Sequence, residues 1–399
     1  MTQTKISRRG FLKGSAIGIG ALVFADRAMR AFGEGLTRFG MPAPWYRKGE
    51  IKITYNYCDI CPWRCGIVVK SVDGRVHKID GNPKDPKSRG MLCARGQGGV
   101  SFTNDPDRLK QPMVRVGERG EGKFKNVSWD EALDYSAQKL KALRDKYGPE
   151  SLAIFGHTSG DFWFTDYFAQ AFGTVNSAKP SVSMCTAPRE EAAQITFGRA
   201  IGNHEPVDWD NSRCIVLIGT HIGEDARNTM MQDLANARAN GAKLIVVDPR
   251  YSSAAMKADY WLPIKPGTDT ALLLAWTNVL IAEKMLDTEF ISKWTVGFDK
   301  LAAHVKDFTP EWAEKITEIP AEKIRATARE LGRNRPSSVI VPGRHVVWYG
   351  NDSQRMRAVY IILGLLGSYG RPGGLYFNKT PFIEEIAHPP FAAASGAGG

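Results

Sequence analysis

An α/β fold is what this sequence predicts, and three observations predict it. Ile215-Val216-Leu217-Ile218-Gly219 and Leu244-Ile245-Val246-Val247-Asp248 are short apolar runs ending in a glycine or a polar turn, the form of parallel strands buried on both faces. Helical patterns lie around them, notably Asp225 to Asn240 and Thr270 to Lys284, and strand–helix alternation builds an open sheet. The chain has 399 residues, more than the ~250–300 at which a single core stops growing, so two or more domains are expected.

Composition narrows the class. At 43% hydrophobic and 24% charged residues, the chain is neither disordered nor fibrous. No run reaches the ~20 apolar residues of a membrane-spanning helix, so an integral membrane protein of that kind is not expected. Six cysteines in this length exclude a small disulfide scaffold. Of the net charge of +11, a net +5 falls in the first 33 residues, six basic residues against Asp26. The rest is spread without the dense basic cluster of a nucleic-acid footprint, so no nucleic-acid partner is expected.

The amino terminus reads as an address. Ser7-Arg8-Arg9-Gly10-Phe11-Leu12-Lys13 has the form of a twin-arginine export signal. The apolar stretch from Gly14 to Ala25 suits a signal core and is too short to span a membrane. No clean Ala-x-Ala site follows, which leaves cleavage near Ala28 or Ala31, or retention as an anchor. A periplasmic location is the expectation.

Cys58, Cys61, Cys65 and Cys93 form C-x2-C-x3-C-x27-C. Four thiolates at such spacing hold one metal centre, zinc or an iron–sulfur cluster. Structural zinc usually shows two paired CxxC arms; here three ligands crowd one loop, which suits a cubane. Disulfides are the other alternative in an oxidising compartment.

These cysteines, followed by Ala94-Arg95-Gly96, resemble the molybdopterin oxidoreductases, also called the dimethyl sulfoxide reductase family. The resemblance continues in Asn104-Asp105-Pro106-Asp107-Arg108-Leu109-Lys110-Gln111-Pro112 and in Val127-Ser128-Trp129-Asp130-Glu131-Ala132-Leu133. It runs on through Val247-Asp248-Pro249-Arg250, Lys265-Pro266-Gly267-Thr268-Asp269-Thr270-Ala271-Leu272 and Leu365-Leu366-Gly367-Ser368-Tyr369-Gly370-Arg371-Pro372-Gly373-Gly374. The resemblance implies a small N-terminal iron–sulfur domain followed by two open, mostly parallel α/β sheet domains. Residues 1–45 would be signal and linker, and 46–115 the 4Fe-4S domain. Residues 116–180 and 337–385 would make a discontinuous α/β domain, 181–336 an inserted α/β domain binding a pterin guanine dinucleotide, and 386–399 a disordered tail. The implied cofactors are a 4Fe-4S cluster and molybdenum, or tungsten, as a bis(molybdopterin guanine dinucleotide).

In open α/β sheets ligands bind beyond the carboxyl ends of strands. That rule puts Gly219, Thr220, His221, Gly223, Glu224, Asp248 and Arg250 on one rim, with Asp for ribose hydroxyls or base N–H and Arg for phosphate. A helix N-cap for Asp248 and a tight turn for Gly219 are the structural alternatives. By resemblance, Asp248, Arg250 and Asp269 contact one guanine dinucleotide tail, with Gly267 in the same block. Gly370, Arg371 and Gly373 match the loop of the other tail. The family often has Asn-Pro after the first strand, where this chain has Thr220-His221-Ile222-Gly223. Arg95 matches a cation between cluster and nearer pterin, where positive charge favours the reduced cluster.

The resemblance also implies a side-chain ligand to the metal, and Cys185 in Pro180-Ser181-Val182-Ser183-Met184-Cys185-Thr186 is the candidate, with Ser183 the alternative. Cys214 abuts a buried strand and reads as a small hydrophobe. Formate dehydrogenases of the family place His after the ligand; Thr186 stands there instead. A Cys ligand with Arg95 most resembles polysulfide, thiosulfate and tetrathionate reductases. Arsenate and selenate enzymes are close by, and nitrate reductases usually carry Lys at the Arg95 place. His157, Arg189 and Arg344 are candidates for anionic substrate contact, each with a plain reading as packed or solvated.

Implied partners are an iron–sulfur electron-transfer subunit, a membrane-anchor quinone-reactive subunit, the twin-arginine translocase and a maturation chaperone. Family catalytic subunits are longer, and the recognisable blocks stop near Gly374. The expectation is therefore a chain without the C-terminal pterin-covering domain. A non-catalytic iron–sulfur electron-transfer or cofactor-binding module is the reading from another class.

Overall fold

The computed structural model describes residues 49–61, 63–156, 162–178, 187–199, 207–220, 222–224, 228–343 and 350–377. Cys185, Ser183, Thr186, His157, His221 and Arg344, the export signal and the C-terminal tail lie outside the described residues. The chain divides into two compact units, Met1–Lys110 and Gln111–Gly399.

In the first unit β1 (Ile51–Tyr57), β2 (Gly66–Val72) and β3 (Arg75–Gly81) form an antiparallel meander. Asp73 and Gly74, at φ of 50° and 77°, make the two-residue turn between β2 and β3, where both positions need left-handed backbone. Two short helices follow, α1 (Ala94–Gln97) and α2 (Gly99–Asn104). They pack on β3.

The second unit opens with a small antiparallel pair, β4 (Met113–Arg115) with β5 (Phe124–Asn126). Helix α3 (Trp129–Tyr147) starts at Ser128, whose hydroxyl accepts the Glu131 N–H at 3.1 Å; this is half of a capping box. Next come β6 (Ile154–Phe155), α4 (Phe162–Phe172) and β7 (Ser177–Ala178), the two strands pairing parallel. Then α5 (Ala187–Phe197) leads to the main sheet.

That sheet contains β8 (Cys214–Ile218), β9 (Lys243–Val247), β10 (Tyr260–Leu262) and β11 (Ser338–Pro342), all parallel, in the order β10-β9-β8-β11. Helix α6 (Met231–Ala239) connects β8 to β9. Between β10 and β11 run α7 (Asp269–Ala282), α8 (Thr288–Trp294), α9 (Phe298–His304), α10 (Pro310–Thr317) and α11 (Ala321–Arg333). Helix α12 (Asp352–Leu365) packs against α5 and α7. Every residue of β8 is buried, and α7 is buried almost all round. The fully enclosed Trp276 indole donates to Thr327 Oγ1 of α11 at 3.0 Å. Among the described residues no helix is long and apolar enough to cross a membrane.

The two apolar runs are parallel strands, as the sequence predicts. Strand β11 pairs with β8 from Ser338↔Cys214 to Pro342↔Ile218, so Ser338–Pro342 lies in the same sheet as β8, β9 and β10. Strand β4 pairs with β5, within the unit that begins at Gln111.

Candidate functional site

In the first unit the end of β1 and the start of β2 form a sulfur-bearing loop. The Cys58 N–H donates to the Cys65 carbonyl at 2.8 Å and the Arg64 N–H to the Cys61 carbonyl at 3.3 Å. Arg64 itself takes a left-handed φ of 51°. Asp85 fastens the corner after Cys65. Its carboxylate accepts the Gly66 N–H at 2.9 Å, the Ser88 N–H at 3.1 Å and the Ser88 hydroxyl at 2.5 Å. Burial pushes the Asp85 carboxyl up, but these bonds outweigh it and hold it below the usual carboxylate range.

Cys93 stands at the start of α1 in extended backbone. A side chain on Gly96 would meet Leu92 and would sit 3.4 Å from Cys58 Sγ. Glycine there lets the helix that begins at Cys93 close on the first cysteine. Likewise a Cβ on Gly81 would collide with the Gly90 carbonyl, so β3 and the Gly90–Cys93 stretch touch backbone to backbone. All five described cysteines are free thiols, not disulfides. Among the described residues no three His, Cys, Asp or Glu side chains converge on a single point. Cations gather on the loop: Arg64 pairs with Asp59 at 3.3 Å, and Lys87 Nζ lies 4.1 Å from the Trp63 ring centre. Arg95 is exposed on α1.

In the second unit the chain steps from β8 to β9 to β10 on one side, then returns to place β11 on the other side of β8. The carboxyl ends of β8 and β11 therefore flank a topological switch point, where open sheets bind ligands. The Gly343 N–H donates to the Ile218 carbonyl at 2.8 Å. A Cβ on Gly343 would collide with the Gly219 carbonyl oxygen. Gly219 has φ of 56°, and Thr220 beside it is buried. Two glycines thus let the crevice floor be bare backbone.

After β9, Asp248 is 4% exposed. Its Oδ1 accepts the Arg250 N–H at 2.9 Å, and its own carbonyl accepts the Trp261 indole N–H at 2.8 Å. The structural role is thus an Asx turn, not a helix cap. Arg250 lies between two acids, 3.5 Å from Asp248 and 3.4 Å from Glu224. Glu224 also accepts the Ser253 N–H at 2.5 Å, tying the β8 loop to the β9 loop. The trio carries a net negative charge. Gly223, at φ of 93°, approaches Met231 closely. After β10, Gly267 turns at φ of 85° and Asp269 begins α7. The structure therefore brings Gly219, Thr220, Gly223, Glu224, Asp248, Arg250, Gly267 and Asp269 to one rim of the sheet.

Gly370, Arg371 and Gly373 do not join it. Ser337, just before β11, donates to the Pro372 carbonyl at 3.0 Å, and Ser212, just before β8, donates to the Gly373 carbonyl at 3.1 Å. The Gly373 N–H donates to Asp208 at 2.9 Å. This loop is fastened at the amino ends of the strands, the opposite rim. The Arg371 guanidinium is committed to Asp287, at 2.5 Å, and lies over the Phe290 ring. Cys214 is fully buried, and burial pushes its thiol far up, so it is an inert core residue. Arg189 is buried in α5.

Two residues escape a reading of the sequence. Asp85 has a faint signal, since Asp85-Pro86-Lys87-Ser88 is a turn that captures backbone N–H groups. Arg355 has none. It is 2% exposed on α12, 3.8 Å from Asp269 and 2.7 Å from Asp352.

The family described as molybdopterin oxidoreductase Fe4S4 domain matches residues 51–105, and that described as molybdopterin oxidoreductase matches 108–398. The thiosulfate reductase molybdopterin-containing subunit PhsA of Salmonella typhimurium is 35% identical over 95% of this chain and 48% of that protein. The dimethyl sulfoxide reductase DmsA of Escherichia coli is 31% identical over 96% of this chain and 52% of its own. Among solved structures, acetylene hydratase from Pelobacter acetylenicus superposes with a TM-score of 0.69 at 29% identity, covering 79% of this chain and 44% of that one. The chain spans about half the length of the curated relatives it matches.

Proposed function

The chain belongs to the molybdopterin oxidoreductase family, and from that premise we propose that it is the cluster- and pterin-binding part of a periplasmic reductase. Its substrate would be a sulfur oxyanion or polysulfide of the thiosulfate, polysulfide or tetrathionate type. The observation that carries the reading is the cysteine quartet on a glycine-cradled loop inside the family's Fe4S4 domain, joined in one chain to a bare-backbone crevice at a sheet switch point. The likeness to a thiosulfate reductase subunit supports the sulfur substrate. So does Thr186 after Cys185, where a formate enzyme carries His.

The donor sets fit both groups. Four thiolates, three of them within eight residues, suit an iron–sulfur cluster. The rim offers what a guanine dinucleotide needs: close backbone at Gly219 and Gly343, and buried carboxylates at Asp248 and Asp269. Arg250 reaches a phosphate only by leaving one of its two acids. Phosphate contact at this loop therefore falls chiefly to backbone N–H groups. When bound, the cluster relays single electrons and the pterin-held molybdenum exchanges electron pairs with the substrate atom. Cys58, Cys61, Cys65 and Cys93 hold the first group, and Cys185 is the side-chain ligand of the second. Arg95 puts positive charge on the helix that starts at Cys93 and so favours the reduced cluster. Electrons arrive from an iron–sulfur partner subunit coupled to a membrane quinone-reactive subunit, after twin-arginine export.

Metal and nucleotide analysis of the chain, produced with its maturation machinery, tests the reading. About four irons per chain, molybdenum, and guanine released on denaturation are expected. Zinc without iron overturns it. Iron with neither molybdenum nor guanine leaves an electron-transfer module. Cys58→Ala is expected to abolish the cluster's paramagnetic signal. Cys185→Ala is expected to keep that signal and lose thiosulfate or polysulfide reduction; retained turnover would move the ligand to Ser183 or to no side chain.

A further inference from the structure

Arg355 sits in the first turn of α12, at the positive end of the helix dipole, where a cation is disfavoured by roughly 0.3–1 kcal/mol. It is also buried. Replacing a buried ion pair by apolar side chains is often neutral or stabilising, so stability alone does not explain its presence. Its contacts do. NH1 donates to Asp352 at 2.7 Å, NH2 faces the Gly350 carbonyl at 3.4 Å, and Nε lies 3.8 Å from Asp269 Oδ2.

Helices α7 and α12 both begin at the carboxyl rim, one after β10 and the other after β11, and they pack together. We propose that Arg355 is the positioning residue whose guanidinium, beside the Asp269 carboxylate, holds that acid as the acceptor for the guanine edge of the nucleotide tail, an inference resting on the reading that this rim holds that tail. The donor edge of guanine needs a carboxylate; a protonated acid offers one acceptor fewer. Asp269 is 7% exposed. Burial, with Asp352 adding to it, holds its carboxyl above the usual carboxylate range; Arg355 and the N–H at the start of α7 oppose that rise without reversing it. Arg355 is thus the one side-chain cation facing this acid among the described residues, and it acts through Asp269 without touching the nucleotide.

Guanine released on acid denaturation, per chain and per molybdenum, reads this directly in the full-length protein. Asp269→Asn and Arg355→Met are each expected to lower retained guanine at least fivefold, and Arg355→Lys to restore it to within about twofold. The double variant should fall no further than the lower single variant, because both changes remove one interaction. Arg355→Met with wild-type guanine beside a depleted Asp269→Asn overturns the positioning role alone. Full guanine in Asp269→Asn overturns the nucleotide assignment at Asp269 and the inference with it. Should Arg355→Met leave Asp269 and Asp352 unpaired and fail to fold, Arg355→Gln, which removes the charge and keeps an N–H donor for Asp352, decides. Guanine lowered at least fivefold in Arg355→Gln supports the role, and wild-type guanine there overturns it.

Discussion

Asp85 illustrates how one side chain organises a site it does not belong to. Its carboxylate gathers the N–H of Gly66, immediately after Cys65, and both the N–H and hydroxyl of Ser88. Asp85→Ala strands four donors at the corner of the cysteine loop, the Lys87 N–H among them, at a cost of about 2 kcal/mol. The expected readout is an earlier urea midpoint for loss of the cluster's visible absorbance; an unchanged midpoint would show that Cys65 is held otherwise. Gly343 is the corresponding point in the second unit. Gly343→Ala forces a methyl into the Gly219 carbonyl. It is therefore expected to lower the thermal midpoint of that unit by several degrees and to deplete retained guanine.

Elements differ sharply in how firmly they are held. Strands β8 and β9 lie inside the parallel sheet with nearly every residue buried, whereas β1 is an edge strand exposed along its length. Amide exchange should therefore be slowest in β8 and β9 and fastest in β1. Equal protection in all three would contradict this arrangement. At the amino rim, Asp287 caps α8 through the Phe290 N–H at 2.8 Å and binds Arg371. Burial pushes its carboxyl up, but the Phe290 N–H and Arg371 outweigh it and hold it below the usual carboxylate range. A carboxyl lowered on folding adds stability that is present above its unfolded value of ~3.9 and is lost as pH falls through the folded value. Asp287→Ala should cost about 1 kcal/mol near neutrality. In urea titrations its deficit should shrink below about pH 4; a deficit independent of pH would mean that packing, not charge, is lost.

The whole molecule is two units of unequal self-sufficiency. In the first, Cys65, Ile67, Val72 and Ile79 are the buried apolar side chains among the described residues. So thin a core needs a staple. Iron chelation should accordingly unfold the first unit while the far-ultraviolet transition of the second stays where it was; a first unit that stays folded without iron would refute this.

Local pattern carries much of this protein. The cysteine spacing, the apolar runs of β8 and β9, and the helices at Met231–Ala239 and Asp269–Ala282 are all set by residues close in sequence, and they settle the α/β class and the cluster domain. What neighbours in sequence cannot state is which distant backbones pair. Only tertiary structure placed β11 beside β8, closed the crevice with Gly343, carried the 370–374 loop to the far rim and brought Arg355 to Asp269. Each rests on hydrogen bonds or charge contacts between segments about 80 to 165 residues apart. Chain closure over such distances is decided by the packed core as a whole, so no local period or propensity announces it.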